Sequence, residues 1–224
     1  MVNIAIDGPS GAGKSSVARL AAARLGYVYI DTGALYRAIG VAAMRRGYDT
    51  RDETLVTQML PEITIEIGFF DDGVQHVYLN GDDVSEEIRL PNASMAASNV
   101  SAIPEVRAFL LDLQKDMAIH NNCILDGRDI GTVVLPQAQV KIYLTASAEV
   151  RAERRYKELK EKGNDVDYET LLAEIIQRDY NDSHREAAPL RQAEDAVLLD
   201  SSYLTLDETV ERALEIISQK VGRP

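Results

Sequence analysis

Brief apolar runs alternate with longer helical segments along the chain. Val2 to Ile6 is an apolar, β-prone run ending at Asp7. After a glycine-rich turn, Val17 to Leu25 reads as a strong helix former closed by Gly26. Tyr27-Val28-Tyr29-Ile30 predicts a short buried strand that ends at Asp31-Thr32-Gly33, and a helix follows over 34–46, closed by Gly47. Asp52 can cap a short helix that stops before Pro61. Further helices are predicted over about 91–100 and 104–120, the second opening on Pro104. Cys123 to Asp126 and Val140 to Leu144 are buried strands. Residues 147–162 and about 168–185 read as two helices separated by Lys162-Gly163-Asn164-Asp165; Ala196 to Asp200 is the last core strand and 206–221 the last helix.

Five apolar strands separated by helices imply an α/β fold: a five-stranded parallel sheet with helices on both faces. One stretch departs from that rhythm. Ile63, Ile65 and Ile67 alternate with Thr64 and Glu66, and Asp72-Gly73 and Asn80-Gly81 are hairpin-turn dipeptides. Residues 62–88 therefore predict a small antiparallel meander inserted into the β/α chain. Ligands of parallel sheets gather at the carboxyl ends of the strands, where Asp7, Asp31, Asp126 and Asp200 stand. An aspartate there either faces a ligand or begins a turn.

Composition narrows the picture. The chain has 224 residues and 46% hydrophobic content, enough for one sizeable core with small appended subdomains. At 27% charged residues it has neither a disordered nor a membrane composition. No apolar run approaches bilayer length, and because Met1 leads straight into the first strand no signal peptide is expected. The single cysteine, Cys123, excludes an internal disulfide and suits a reducing cytoplasm. His76, His120 and His184 offer no metal-ligand spacing. A net charge of −12 argues against nucleic acid or an anionic membrane as partner. It leaves small anionic substrates open, because for them local arginine placement decides.

The most specific local signal is Gly8-Pro9-Ser10-Gly11-Ala12-Gly13-Lys14-Ser15, followed by Ser16. It fits the phosphate-binding loop G-x-x-x-x-G-K-[ST] at every fixed position, between a strand and a helix. Glycines let backbone N–H groups approach phosphates, and the helix N-terminus favours negative charge. Lys14 would reach the β/γ-phosphates and the Ser15 hydroxyl would bind Mg²⁺. Asp126, after an apolar strand in Asp126-Gly127-Arg128-Asp129, is the expected Mg²⁺-side partner, acting through water. Arg128 and Asp129 would project into the same cleft. On a helix, Arg178, Asp182 and Arg185 share one face, and Arg151, Arg154 and Arg155 begin the preceding helix. Two such helices could close over a triphosphate as a lid, because the planar guanidinium grips phosphate in bidentate fashion.

Gly8 to Ser15, Asp31 to Arg37, Asp126 to Thr132, and Arg178-Asp179 through Asp182-Ser183 to Arg185 and Ala188-Pro189-Leu190 together resemble the motif set of bacterial cytidylate kinases. The resemblance runs from the first strand to the last helix, and the meander at 62–88 is similar to that family's longer monophosphate-binding domain. It implies a phosphotransferase that moves the γ-phosphate of ATP to CMP and dCMP, with ATP as co-substrate and Mg²⁺ as cofactor. It implies a cytoplasmic monomer that binds neither nucleic acid nor membrane. By that resemblance the core comprises 1–34, 121–150 and 186–224, the monophosphate-binding part about 35–100, and the lid about 151–185. Lys14 would bind the transferring phosphates; Arg37, Arg128 and Arg185 would hold the monophosphate or the transferring group. Thr32, Arg107 and Asp129 would read cytosine; Ser98, Arg178 and Asp182 would hold the pentose; Arg154 and Arg155 would belong to the lid. Thr32 stands where many relatives have serine.

Other users of the loop remain for comparison. A GTPase switch needs Asn-Lys-x-Asp and Asp-x-x-Gly strings, and neither occurs. A kinase acting on a hydroxyl, such as a shikimate or sugar kinase, would need an aspartate base, for which Asp129 is available. A non-catalytic ATP-dependent binding module would transfer no phosphate.

Overall fold

The computed structural model describes residues 1–69 and 75–222. The elements run β1 (Asn3–Asp7), α1 (Lys14–Leu25), β2 (Val28–Asp31), α2 (Thr32–Arg45), α3 (Glu53–Met59), β3 (Ile65–Phe69), β4 (Gln75–Leu79) and β5 (Asp82–Asp83). They continue through α4 (Pro91–Val100), α5 (Pro104–His120), β6 (Cys123–Gly127), β7 (Val140–Thr145), α6 (Ala148–Glu161), α7 (Tyr168–His184), β8 (Val197–Asp200) and α8 (Leu206–Val221). The chain forms two compact units, one of Met1–Tyr29 with Asn121–Pro224 and one of Ile30–His120.

In the first unit, the described residues form a sheet in the order β2-β6-β1-β7-β8. β1 lies at its centre, parallel to β6 (Ile4 opposite Ile124) and to β7 (Ile6 opposite Ile142). Ile4, Ala5 and Ile6 are all fully buried, as expected of a central parallel strand covered on both faces. The core gathers Ile4, Ile6, Val17, Ala21, Ile124, Ile142 and Leu144 with Val210 and Ile217 of α8. A π-helical turn over Ile130–Val134, invisible to periodicity, follows β6.

The second unit has its own core, built from Leu35, Ile39, Val56, Leu79, Val100 and Leu110. The expected meander is a three-stranded antiparallel sheet in the order β3-β4-β5. Its Asn80-Gly81 turn has the positive φ angles of 52° and 84° that the dipeptide supplies. The Asp72-Gly73 turn lies outside the described residues. Asp52 caps α3 through Leu55 N–H at 3.0 Å, as its position suggested. No helix among the described residues is long and apolar enough to cross a membrane.

The two helices α2 and α4 approach closely at Gly40. A Cβ there would stand 2.7 Å from Ala96 Cβ and 3.2 Å from the Ala96 carbonyl carbon. Gly40→Ala should therefore destabilise the fold by about 1–3 kcal/mol in urea unfolding, because overpacking outweighs the better helix propensity of alanine. A variant as stable as the parent would show that the helices part freely.

Candidate functional site

The glycine loop leaves β1 at Gly8 and enters α1 at Lys14. Gly8 has φ 149°, and a Cβ there would fall 1.9 Å from the Leu144 carbonyl oxygen, so no side chain fits beside β7. Lys14 is buried and curls back over the loop, its Nζ donating to the Pro9 carbonyl at 2.8 Å. Burial, reinforced by the Arg128 guanidinium, brings its pKa down to about 7 against the opposing pull of Asp126 and Asp182.

Ser15, next on α1, donates to Asp126 Oδ2 at 2.9 Å across 111 residues of sequence. Tyr29 donates from its hydroxyl to the other oxygen, Oδ1, also at 2.9 Å. Among the described residues no group of three or more His, Cys, Asp or Glu side chains gathers to cage a metal. One hydroxyl and one carboxylate beside a phosphate loop fit Mg²⁺ instead, which keeps several waters and takes further oxygens from substrate phosphates.

Asp7 organises the neighbouring segment. Its carboxylate accepts from Ile130 N–H at 2.8 Å and from Gly131 N–H at 2.7 Å, fixing the turn that follows Arg128 and Asp129. Burial pushes its pKa up to about 6; the two N–H groups and Lys14 oppose that rise, and Asp129 adds to it. Arg128 Nε donates to Asp182 Oδ2 at 2.7 Å. Burial would raise the Asp182 pKa, but Arg128, with Arg178 and Arg185 beside it, holds it below the usual carboxylate range. Arg185 lies 3.6 Å from Asp129, both side chains deeply buried. Arg178 is near enough to act on both Lys14 and Asp182.

The first unit thus brings together the loop Gly8 to Ser15, Asp126, Arg128, Asp129, Arg178, Asp182 and Arg185. Contrary to the expected shared helical face, Arg185 lies beyond the helix that carries Arg178 and Asp182. α7 ends at His184, and Arg185 is extended, its Nε held by the Ala188 carbonyl at 2.8 Å. Arg154 reaches the end of β8, donating to the Ser201 carbonyl at 2.6 Å. Arg155 pairs with Glu158 one turn along an exposed face, outside the cluster. Asp200 accepts from Ser202 N–H and Oγ, which makes it a turn residue.

The pairing of Arg151 with Asp179 is absent from the sequence-based expectations. Arg151, expected with Arg154 and Arg155 to belong to a lid over a triphosphate, is almost wholly buried, bound to the Ser10 carbonyl at 3.0 Å and doubly to Asp179. The Arg-Asp pair at 178–179 was in view, but no local signal ties Asp179 to a residue 28 positions earlier.

In the second unit, Thr32 begins α2 and is buried. Arg37 pairs with Asp31 at 2.6 Å. The Arg107 guanidinium lies 5.5 Å from the Tyr36 ring centroid and donates to the Ser101 carbonyl at 3.2 Å. Ser98 offers its carbonyl to Ser101 Oγ.

Comparison with known proteins gives this arrangement a context. A family model described as cytidylate kinase matches residues 4–219. A protein named cytidylate kinase from Caldicellulosiruptor saccharolyticus is 52% identical over 221 residues, covering 99% of this chain and 97% of its own. Another of that name, from Bacillus licheniformis, is 46% identical over 220 residues, covering 98% of this chain and 97% of its own. Among solved structures, an uncharacterized protein from Eubacterium ventriosum has a similar fold, with TM-score 0.53 at 11% identity over 97% of this chain and 99% of that one.

The raised Asp7 pKa has a thermodynamic consequence. The folded state binds this proton more tightly than an unfolded chain does. The group's contribution to stability is therefore full below about pH 4 and is lost as pH rises through about 6. The loss amounts to about 3 kcal/mol. Asp7→Asn removes this slope and also disturbs one amide contact at every pH. Measured by urea unfolding, the parent's advantage over the variant should shrink by about 2 kcal/mol between pH 4.5 and 7.5, the part of the loss that falls in that window. A pH-independent difference would refute the assignment.

Proposed function

The chain belongs to the cytidylate kinase family, and on that premise we propose that it transfers the γ-phosphate of ATP to CMP, and to dCMP as a second substrate, giving CDP or dCDP and ADP. The observation that carries the reading is the set of arginines held by carboxylates beside a phosphate loop in a chain of this family. Such a reaction joins two anions, and cations must hold them together. An oxygen of the CMP phosphate attacks the γ-phosphorus in line, and the bond from that phosphorus to the β–γ bridging oxygen breaks, releasing ADP. The attacking oxygen is already anionic, so no general base is required. Asp182, acidified beside Arg128, suits a clamp better than a base.

Lys14 neutralises charge that builds on the β–γ bridge, with the loop Gly8 to Ser16 cradling the triphosphate. Arg128 and Arg185 bind the transferring group or the monophosphate; Arg178 and Asp182 bind the pentose. Ser15, and Asp126 through water, would hold a Mg²⁺ ion, which when bound supplies positive charge to the β- and γ-phosphate oxygens. Asp129 accepts from cytosine N4. In the second unit, Arg37 holds the CMP phosphate, Thr32 and Arg107 meet the base, and Ser98 the pentose. Arg154 serves the lid. The work is cytoplasmic and the chain acts as a monomer. Cys123, its thiol pushed up to about 12 by burial, takes no part.

A coupled ADP-release assay over all ribo- and deoxyribonucleoside monophosphates tests the reading. Uracil turns the N4 donor into an acceptor and protonates N3, so both base contacts mismatch. CMP should exceed UMP in kcat/KM by at least about a hundredfold. Equal use of the two would overturn the base-reading scheme. Lys14→Ala should lower kcat by about a hundredfold or more while the thermal melt persists, the loss expected for one principal electrostatic donor. Near-normal kcat would remove Lys14 from the transition state.

A further inference from the structure

We infer that the Tyr29 hydroxyl is a positioning group for Asp126, and that through Asp126 it sets the affinity of the phosphate loop for Mg²⁺. The inference rests on the reading that Ser15 and Asp126 form the metal side of the site. A carboxylate turns easily about its last torsion, because that rotation is broad and two-fold. At Asp126 both oxygens are engaged by hydroxyl donors: Oδ2 by Ser15 and Oδ1 by Tyr29, each at 2.9 Å. The two contacts fix the plane of the carboxylate. Ser15 has one hydroxyl hydrogen. While it points at Oδ2, the oxygen lone pairs face away from Asp126, the direction in which a cation is met. Release of Oδ1 would let the carboxylate swing and the serine hydrogen follow it.

Tyr29 is well placed for the task. It sits in β2, the strand neighbouring β6, which carries Asp126. Its ring packs against the core of the first unit, so the phenol arrives on a fixed stem. Loss of a partner that orients a directly bound metal ligand typically lowers metal affinity or activity about 10–100-fold. Here the carboxylate acts through water, so a single hydrogen bond to it should count for about three- to tenfold.

Tyr29→Phe removes the hydroxyl and keeps the ring. Binding of the non-hydrolysable ATP analogue with a β,γ-imido bridge is measured by calorimetry across a Mg²⁺ series, for the parent, Tyr29→Phe, Asp126→Asn and the double variant. The Mg²⁺ concentration giving half of the metal-dependent tightening should rise about three- to tenfold in Tyr29→Phe. Affinity for the metal-free analogue should stay unchanged. In the Asp126→Asn background the same substitution should add nothing, because its route of action is gone. Superimposable Mg²⁺ series for parent and Tyr29→Phe would overturn the inference while leaving the metal site intact. So would an equal loss with and without Mg²⁺, or effects that simply add in the double variant. A parent whose affinity ignores Mg²⁺ would overturn the metal-site reading and this inference with it.

Discussion

Two backbone N–H groups, of Ile130 and Gly131, converge on the carboxylate of Asp7, and the arrangement of the first unit depends on that contact. Asp7 is the last residue of the central strand and immediately precedes the glycine loop. The N–H groups belong to the turn that carries Arg128 and Asp129 into place. An apolar residue at position 7 would be easier to bury. It would leave two buried donors unpaired, at about 1–3 kcal/mol each. The fit is tight: a Cβ on Gly131 would lie 3.3 Å from Asp7 Oδ2 and 3.1 Å from Lys141 Cδ. One buried carboxylate, strained electrostatically enough to raise its pKa to about 6, thus ties the phosphate loop to the segment of charged residues beside it.

Once that segment is fixed, charge has to be matched where water is scarce. Arg128 is held by Asp182, Arg185 faces Asp129, and Arg151 is held by Asp179. Buried ion pairs of this kind are poor stabilisers, because desolvation offsets most of their attraction. Their value is positional. Guanidinium groups fixed in advance need little reorganisation when an anion arrives, and that is where electrostatic catalysis draws its strength. Lys14 stands in the same surroundings: burial first, and the Arg128 guanidinium second, bring its pKa down to about 7.

How much of this is readable in the sequence depends on the distance over which each feature is encoded. The phosphate loop is local: its glycines, Lys14 and Ser15 are contiguous, and strand and helix flank them. The parallel sheet and the inserted meander follow from apolar runs and a two-residue alternation, so they were legible too. The partners of the charges were not. Arg128 meets Asp182 across 54 residues, Arg151 meets Asp179 across 28, and Tyr29 meets Asp126 across 97. Periodicity describes one element at a time and cannot say which of several arginines turns inward. Arg151 and Arg155 lie one helical turn apart, yet one is buried under the loop and the other pairs with Glu158 at the surface. The π-helical turn at Ile130–Val134 has no repeat long enough to leave a signature.

The four strand-end aspartates show why asking whether such a residue makes a turn or makes a site can be the wrong choice. Asp7 accepts from the backbone of a distant turn and so places the residues before it. Asp31 accepts from Ala34 N–H at 3.0 Å, capping α2, while its second oxygen holds Arg37. The side-chain amide of Gln75, from the inserted sheet, accepts from the backbone N–H of Asp31 and donates to the Asp31 carbonyl. That insertion is therefore attached to the start of α2 at the residue that orients an arginine, and not by apolar packing alone. Asp126 divides its oxygens between two hydroxyls from separate elements. Only Asp200 is a turn residue and nothing more, for its donors both come from Ser202, two positions on, and its side chain is exposed. What separates the four is the origin of the donors. A carboxylate satisfied within its own turn organises a loop. One satisfied from elsewhere in the chain, or shared with an arginine, fixes side chains and turns that lie beyond its own turn.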